Sequence, residues 1–196
     1  MATLKKELFE WIKAIALALV LFGILNIFIT TTTVFNTSML PTLVEQDRLF
    51  MQRTSDVQHG DIISFETEIP LRESDLALLN PIQRMVFGVK TMVTGEEPKK
   101  NLIKRVIGVP GDTVEVLDGV VTVNGEVLNE PYINTITTDA AYYENIPEGK
   151  YFVMGDNRVV SLDSRNPSVG LIDGDKIIGR ALFRFFPLNK IGGIDK

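Results

Sequence analysis

The chain contains no cysteine, which excludes a disulfide framework and a thiolate nucleophile. Its one histidine, His59, excludes a metal site built from several histidines of this chain. No run of Asp and Glu has the spacing of a calcium or magnesium loop. Zinc, nucleotide and redox motifs are missing as well, so no cofactor is expected. Basic residues are outnumbered, 20 Lys and Arg against 25 Asp and Glu, and the net charge of -5 argues against a nucleic-acid partner. No internal repeat stands out. At 196 residues the chain suits one modest domain, or a core with a small inserted lobe.

What the chain does have is an apolar run near its start, which lifts the mean hydropathy to +0.14. From Ala14 to Phe35 no residue is charged. As a helix this stretch reaches about 33 Å, against a hydrocarbon core of roughly 30 Å. Trp11 sits at one end, where an amphipathic ring prefers the interface, and Thr30 to Thr33 weaken the apolar character at the other. A cleavable leader would have a shorter apolar region and a small-residue cleavage site, and a buried core helix would rarely run so long without a polar face. The run reads as a retained membrane anchor. Lys5, Lys6 and Lys13 precede it and no Lys or Arg follows until Arg48, which places the N-terminus inside and the rest outside.

Beyond Thr37 the pattern is mostly strands. Ile62-Ile63-Ser64-Phe65 follows a Gly60-Asp61 turn, and Leu102 to Ile107 is closed by Gly108-Val109-Pro110-Gly111-Asp112. Thr113 to Leu117, Val120 to Val123 and Val127-Leu128 are separated by Asp118-Gly119 and Asn124-Gly125, the dipeptides of tight primed turns. Tyr151 to Met154 and Lys176 to Phe183 are further strands. Residues 66–100 fit least. Pro70, Pro81 and Pro98 interrupt them, and Leu76-Ala77-Leu78-Leu79 and Met85-Val86-Phe87 suggest short amphipathic turns. An irregular, mobile excursion is expected there, with a membrane-touching flap as the alternative.

Two positions carry reactive potential. A serine hydroxyl is a poor nucleophile until a base takes its proton. His59 sits in a turn context, but a lysine serves equally if its ammonium is stripped of water. Lys104 lies among Leu102, Ile103, Val106 and Ile107, where strand alternation puts it on the face of Leu102 and Val106 and turns Arg105 the other way. Taken alone, Lys104 also reads as a charge that protects an edge strand, and Ser38 as a turn residue ahead of Pro41.

The combination is more specific than either residue. Ser38-Met39-Leu40-Pro41-Thr42-Leu43 follows the anchor closely. Lys104-Arg105-Val106-Ile107-Gly108-Val109-Pro110-Gly111-Asp112 comes next, then Gly155-Asp156-Asn157-Arg158 with Ser161 and Asp163-Ser164-Arg165. The chain thereby resembles the bacterial type I signal peptidases, the Ser/Lys leader peptidase family. The resemblance spans the anchor and most of the chain, weakening in residues 66–100 and after Phe186.

That resemblance implies a membrane-bound serine endopeptidase that cuts signal peptides from exported preproteins after small residues of the Ala-x-Ala type. Ser38 would be the nucleophile, Lys104 the base and Ser161 the hydroxyl that orients the lysine. The backbone N–H of Ser38 would serve the oxyanion. The family often has a hydroxyl or glycine two residues before the nucleophile; here Asn36 stands in that place, and either its amide donates or the site relies on the main chain alone. Val34, Met39, Leu43, Leu102 and Ile103 match the lining of the substrate pockets. Asp156, Asn157, Arg158, Asp163 and Arg165 match structural support, the last pair as an ion pair. Val159-Val160 replaces a common Asp-Asn. An extended leader would pair with an exposed strand edge.

The fold implied is mostly antiparallel β, a catalytic core with a small inserted β lobe after one transmembrane helix. The expected divisions are 1–13 as cytoplasmic N-terminus, 14–35 as anchor, 38–110 as first part of the core, 111–149 as lobe, and 150–196 as second part and tail. Partners would be signal-peptide-bearing preproteins, the lipid bilayer and the export machinery, with the protein single-pass in the bacterial cell membrane. Two rival readings are an assembly helper with an idle dyad and a self-cleaving Ser/Lys repressor. Retention of Ser38 and Lys104 argues against the first, and an apolar span in place of a DNA-reading module against the second.

Overall fold

The structure is a computed structural model that describes residues 2–194 apart from 55, 72, 78 and 80. Leu78 of the expected apolar turn therefore lies outside the described residues, as do Met1, Asp195 and Lys196 at the ends of the expected divisions.

The chain begins with helix α1, Ala2–Phe28, whose side chains from Lys6 onward are exposed. Lys6–Phe28 is long and apolar enough to cross a membrane. The expected anchor boundary at Phe35 is corrected. The helix stops at Phe28, and Ile29–Thr33 continues directly as strand β1. Four successive β-branched threonines favour the extended backbone, and pairing with Arg48–Gln52 (β2) rewards it.

The main sheet has the order β1-β2-β11-β3-β4-β9-β10, with β12 (Gly192–Gly193) added to β11. Its other strands are β3 (Ile62–Pro70), β4 (Lys99–Gly108), β9 (Lys150–Met154), β10 (Ile172–Asp173) and β11 (Ile177–Phe186). All described pairings are antiparallel. A second sheet of order β7-β6-β5-β8 comprises β5 (Val114–Leu117), β6 (Val120–Val123), β7 (Glu126–Val127) and β8 (Ala141–Tyr143). Its two tight turns behave as the dipeptides require. Asp118 and Gly119 have φ of 49° and 82°, and Asn124 and Gly125 have 54° and 82°. Positive φ at both central positions is what a type I′ turn needs.

Among the described residues, three apolar clusters hold the body together. Val34, Met39 and Leu43 pack with Leu49, Met51 and Ile62. Ile63, Phe65, Leu102, Val106 and Val153 form the second. The third joins the two sheets, because Ile107, Phe152 and Met154 meet Val114, Val116, Val121 and Ile146. Both faces of β4 are thus covered, and its C-terminal half is a continuous buried run.

The expectation of an irregular 66–100 is also corrected. β3 runs on to Pro70, β4 starts at Lys99, and between them lie α2 (Glu73–Ala77) and α3 (Pro81–Thr94). Pro81 starts α3 rather than breaking it, since the first helical position needs no N–H donor.

Candidate active site

Ser38 sits in the turn after β1, anchored by the buried side chains of Val34 and Met39 on either side. Its carbonyl accepts a hydrogen bond from the N–H of Asn157 at 3.0 Å, which ties this turn to the loop after β9. Lys104 arrives from the middle of β4. Its Nζ lies 2.7 Å from Ser38 Oγ and 3.0 Å from the carbonyl oxygen of Ile103. Lys104 is 1% exposed and Ser38 6%, so the pair meets inside the protein at the floor of a cleft. Burial drives the Lys104 ammonium from its ordinary value down to about 8. Arg165 pushes the same way, against the attraction of Asp163 and Asp156.

Asn36 faces the nucleophile as an acceptor. Its Oδ1 accepts hydrogen bonds from the Ser38 hydroxyl at 2.7 Å and from the Ser38 backbone N–H at 3.2 Å. The expectation of a donating Asn36 amide is corrected for this state, since the short reach between neighbouring turn residues presents the carbonyl end. Ser161 is corrected as well. Its Oγ is buried without a hydrogen-bond partner and does not meet Lys104, because it is turned into the space above Gly155 beside the Ser38 carbonyl. The amine instead donates to the carbonyl of Ile103.

The third block braces this arrangement through ion pairs. The Asp163 carboxylate accepts from the Gly155 N–H at 2.9 Å and pairs with Arg165 Nε at 2.8 Å. Arg165 also donates to the carbonyl of Arg158 at 2.8 Å. Asp156 receives two bonds from Arg105, at 2.9 and 2.8 Å, and a third from the hydroxyl of Thr42. Arg105 and Asp156 are both fully buried, so this bidentate pair links β4, the Ser38 turn and the loop after β9 without help from water. Asn157 adds a bond from its Nδ2 to the Thr37 carbonyl at 3.2 Å.

Of the expected pocket residues, Val34, Met39, Leu102 and Ile103 line the cleft that holds Ser38 and Lys104. Leu43 does not. It is fully buried behind that wall, where it packs with Leu49 and Met51. Sequence reasoning missed two contributors from residues 129–140. Glu130 pairs with Arg158, at 2.8 Å for one of its two contacts, and the Tyr132 ring lies 3.9 Å from the Arg105 guanidinium. No motif marks these positions. Among the described residues no cluster of three or more His, Asp or Glu could hold a metal ion.

Comparison with known proteins points the same way as the geometry. The family model described as signal peptidase, peptidase S26, matches residues 8–186. Signal peptidase I of Bacillus licheniformis is 35% identical, covering 97% of this chain and 95% of its own. Signal peptidase IB of Staphylococcus aureus (strain Mu50 / ATCC 700699) is 34% identical over 95% of this chain and 94% of its own. A crystal structure of a signal peptidase I from Enterococcus faecalis V583 is similar at 27% identity and a TM-score of 0.41, covering 64% of this chain and 96% of that one.

Proposed function

We propose that this chain, which belongs to the signal peptidase family, peptidase S26, frees exported precursors of their signal peptides by attack of Ser38, with Lys104 as the base. It is a serine endopeptidase of the type I signal peptidase class, and its substrates are preproteins that carry signal peptides. One observation carries the residue assignment: a buried amine 2.7 Å from a serine hydroxyl in a cleft.

In the free protein Lys104 donates to Ser38 Oγ while the Ser38 hydroxyl donates to Asn36. Attack requires the hydroxyl to turn toward the lone pair of a neutral Lys104. The amine then takes the proton as Oγ bonds the scissile carbonyl carbon, and the resulting ammonium protonates the leaving amine. Water, deprotonated by the same amine, breaks the ester in the second half. The oxyanion takes the Ser38 N–H, which the substrate carbonyl must win from Asn36 Oδ1.

The strand order supports a way of holding a leader. β1 pairs with β2 on one edge only, and β4 pairs with β3 along Lys99–Arg105 but with β9 only from Arg105 onward. The remaining edges of β1 and of β4 before Lys104 line the same cleft. An extended leader fits between them as an added strand, its small residues over Val34, Met39, Leu102 and Ile103. With α1 in the bilayer and its lysines inside, this cleft faces the outer surface, where export machinery delivers precursors.

The test is processing of an exported precursor ending its leader in Ala-x-Ala by full-length wild type, Ser38→Ala and Lys104→Ala proteins in detergent. Wild type should cut, and each variant should lose at least about a thousandfold in rate. Equal processing by all three would remove Ser38 and Lys104 from the mechanism.

A further inference from the structure

The cleft extends well beyond the dyad, to a volume of about 510 Å³. Two alanine side chains do not fill it. Residues of the 71–98 excursion roof part of it, where Leu71, Asp75, Leu79 and Phe87 line the same space as Lys99 and Lys100. Val160 and Leu162, from the loop after β9, supply apolar surface to the same cleft. This roof is tied down close to β4. The Leu71 N–H donates to the Pro98 carbonyl at 2.9 Å, and Lys100 Nζ lies 2.7 Å from Asp75 in α2. Lys99 is likewise paired with Glu68. The two lysines are therefore matched by carboxylates, which leaves Leu71, Leu79 and Phe87 as the apolar part of this roof.

Direction follows from the sheet. The open edge of β4 ends at Lys104, because β9 occupies it from Arg105. Only the substrate segment on one side of the cut has strand edge to lie along, and the proposed reaction makes that segment the leader. From Lys104 back to Lys99 an extended chain covers about 17 Å, roughly five residues. Resting on that reading of the site, we propose that Leu71, Leu79 and Phe87 form an apolar subsite that takes a bulky apolar leader side chain about four to six residues before the cut. The excursion is then a specificity element for the hydrophobic part of the leader.

Two synthetic precursor peptides test this, each with Ala-x-Ala before the cut and differing only in Leu or Ser five residues before it. With full-length wild type in detergent, the Leu peptide should have about tenfold higher kcat/KM, mostly through KM. In Leu79→Ala/Phe87→Ala the Leu:Ser ratio should fall below about twofold, and in Phe87→Ala alone to an intermediate value. Met92→Ala, on the exposed side of α3, should keep the wild-type ratio. A wild type that cuts both peptides equally, or a variant that loses activity on both while keeping the ratio, overturns the subsite and leaves the peptidase reading standing. Failure of wild type to cut either peptide overturns the peptidase reading, and the subsite with it.

Discussion

Ser161 occupies the space that a side chain on Gly155 would need. A Cβ placed on Gly155 would collide with Ser161 Oγ and come within 2.5 Å of the Ser38 carbonyl oxygen. The Ser38 turn and the loop after β9 approach each other over a residue that must have no side chain, and the bond from Asn157 N–H to Ser38 is made across that contact.

Gly155→Ala should therefore push the nucleophile turn away from Lys104. Overpacking of this kind costs about 1–3 kcal/mol, and the displaced hydroxyl should cost more in activity than in stability. Thermal melting together with precursor processing checks this. A variant with wild-type processing would show that the turn can give without moving Ser38.

The pH dependence follows from the buried amine. With Lys104 lowered to about 8 and active only when neutral, kcat/KM should climb with pH through that value and level off above it. Flat activity from pH 5 to 9 would contradict a lysine base.

The same burial has a stability consequence with a definite sign. Between about pH 8 and 10.5 the unfolded chain holds a proton on Lys104 that the folded chain has released, so stability should rise with pH across this window. Below it the ammonium is buried at a cost of about 3 kcal/mol. Lys104→Met should be inactive yet more stable at pH 7, by up to that amount, with the gain shrinking toward pH 10. Chemical denaturation at both pH values measures the difference.

Asn36→Ala should keep kcat within about tenfold, because Asn36 meets Ser38 through an acceptor oxygen that leaves before attack. A fall of a hundredfold or more in kcat would place the Asn36 amide in the oxyanion hole after all. Steady-state kinetics with one Ala-x-Ala peptide decides between them.

Asp156→Ala leaves the fully buried Arg105 guanidinium without its bidentate partner and should destabilise by about 3–5 kcal/mol. Glu130→Ala should be milder, since Arg158 keeps its bond to the Gly155 carbonyl. Melting curves of the two variants rank them. The reverse order would mean that the Glu130 link, not the Arg105 pair, fastens the loop after β9.

The hairpin dipeptides Asp118-Gly119 and Asn124-Gly125 were legible because a local backbone requirement selects those residues, and the structure places positive φ at all four. Ser38 and Lys104 were legible as parts of ordered motifs, and the sheet brings them together. β1 was hidden inside the apolar run, since its threonines look like a fading membrane helix until β2 is known to pair with them. α3 was hidden by Pro81, a residue that reads as an interruption unless it happens to fall at the first helical position. The end that Asn36 presents was not legible, because an amide can present either and only its neighbours select one. Glu130 and Tyr132 gave no signal, since the arginines they meet lie far away in sequence.

No linker separates α1 from the catalytic sheet, for β1 begins at the residue after the helix ends. Along ten residues from Phe28 to Ser38 a chain spans at most about 35 Å, and folding into β1 and a turn shortens this further. With α1 fixed in a bilayer, the Ser38 hydroxyl would sit on a short leash at a set height, and the proposed cleavage would sort peptide bonds by how far they stand above the lipid as well as by their side chains.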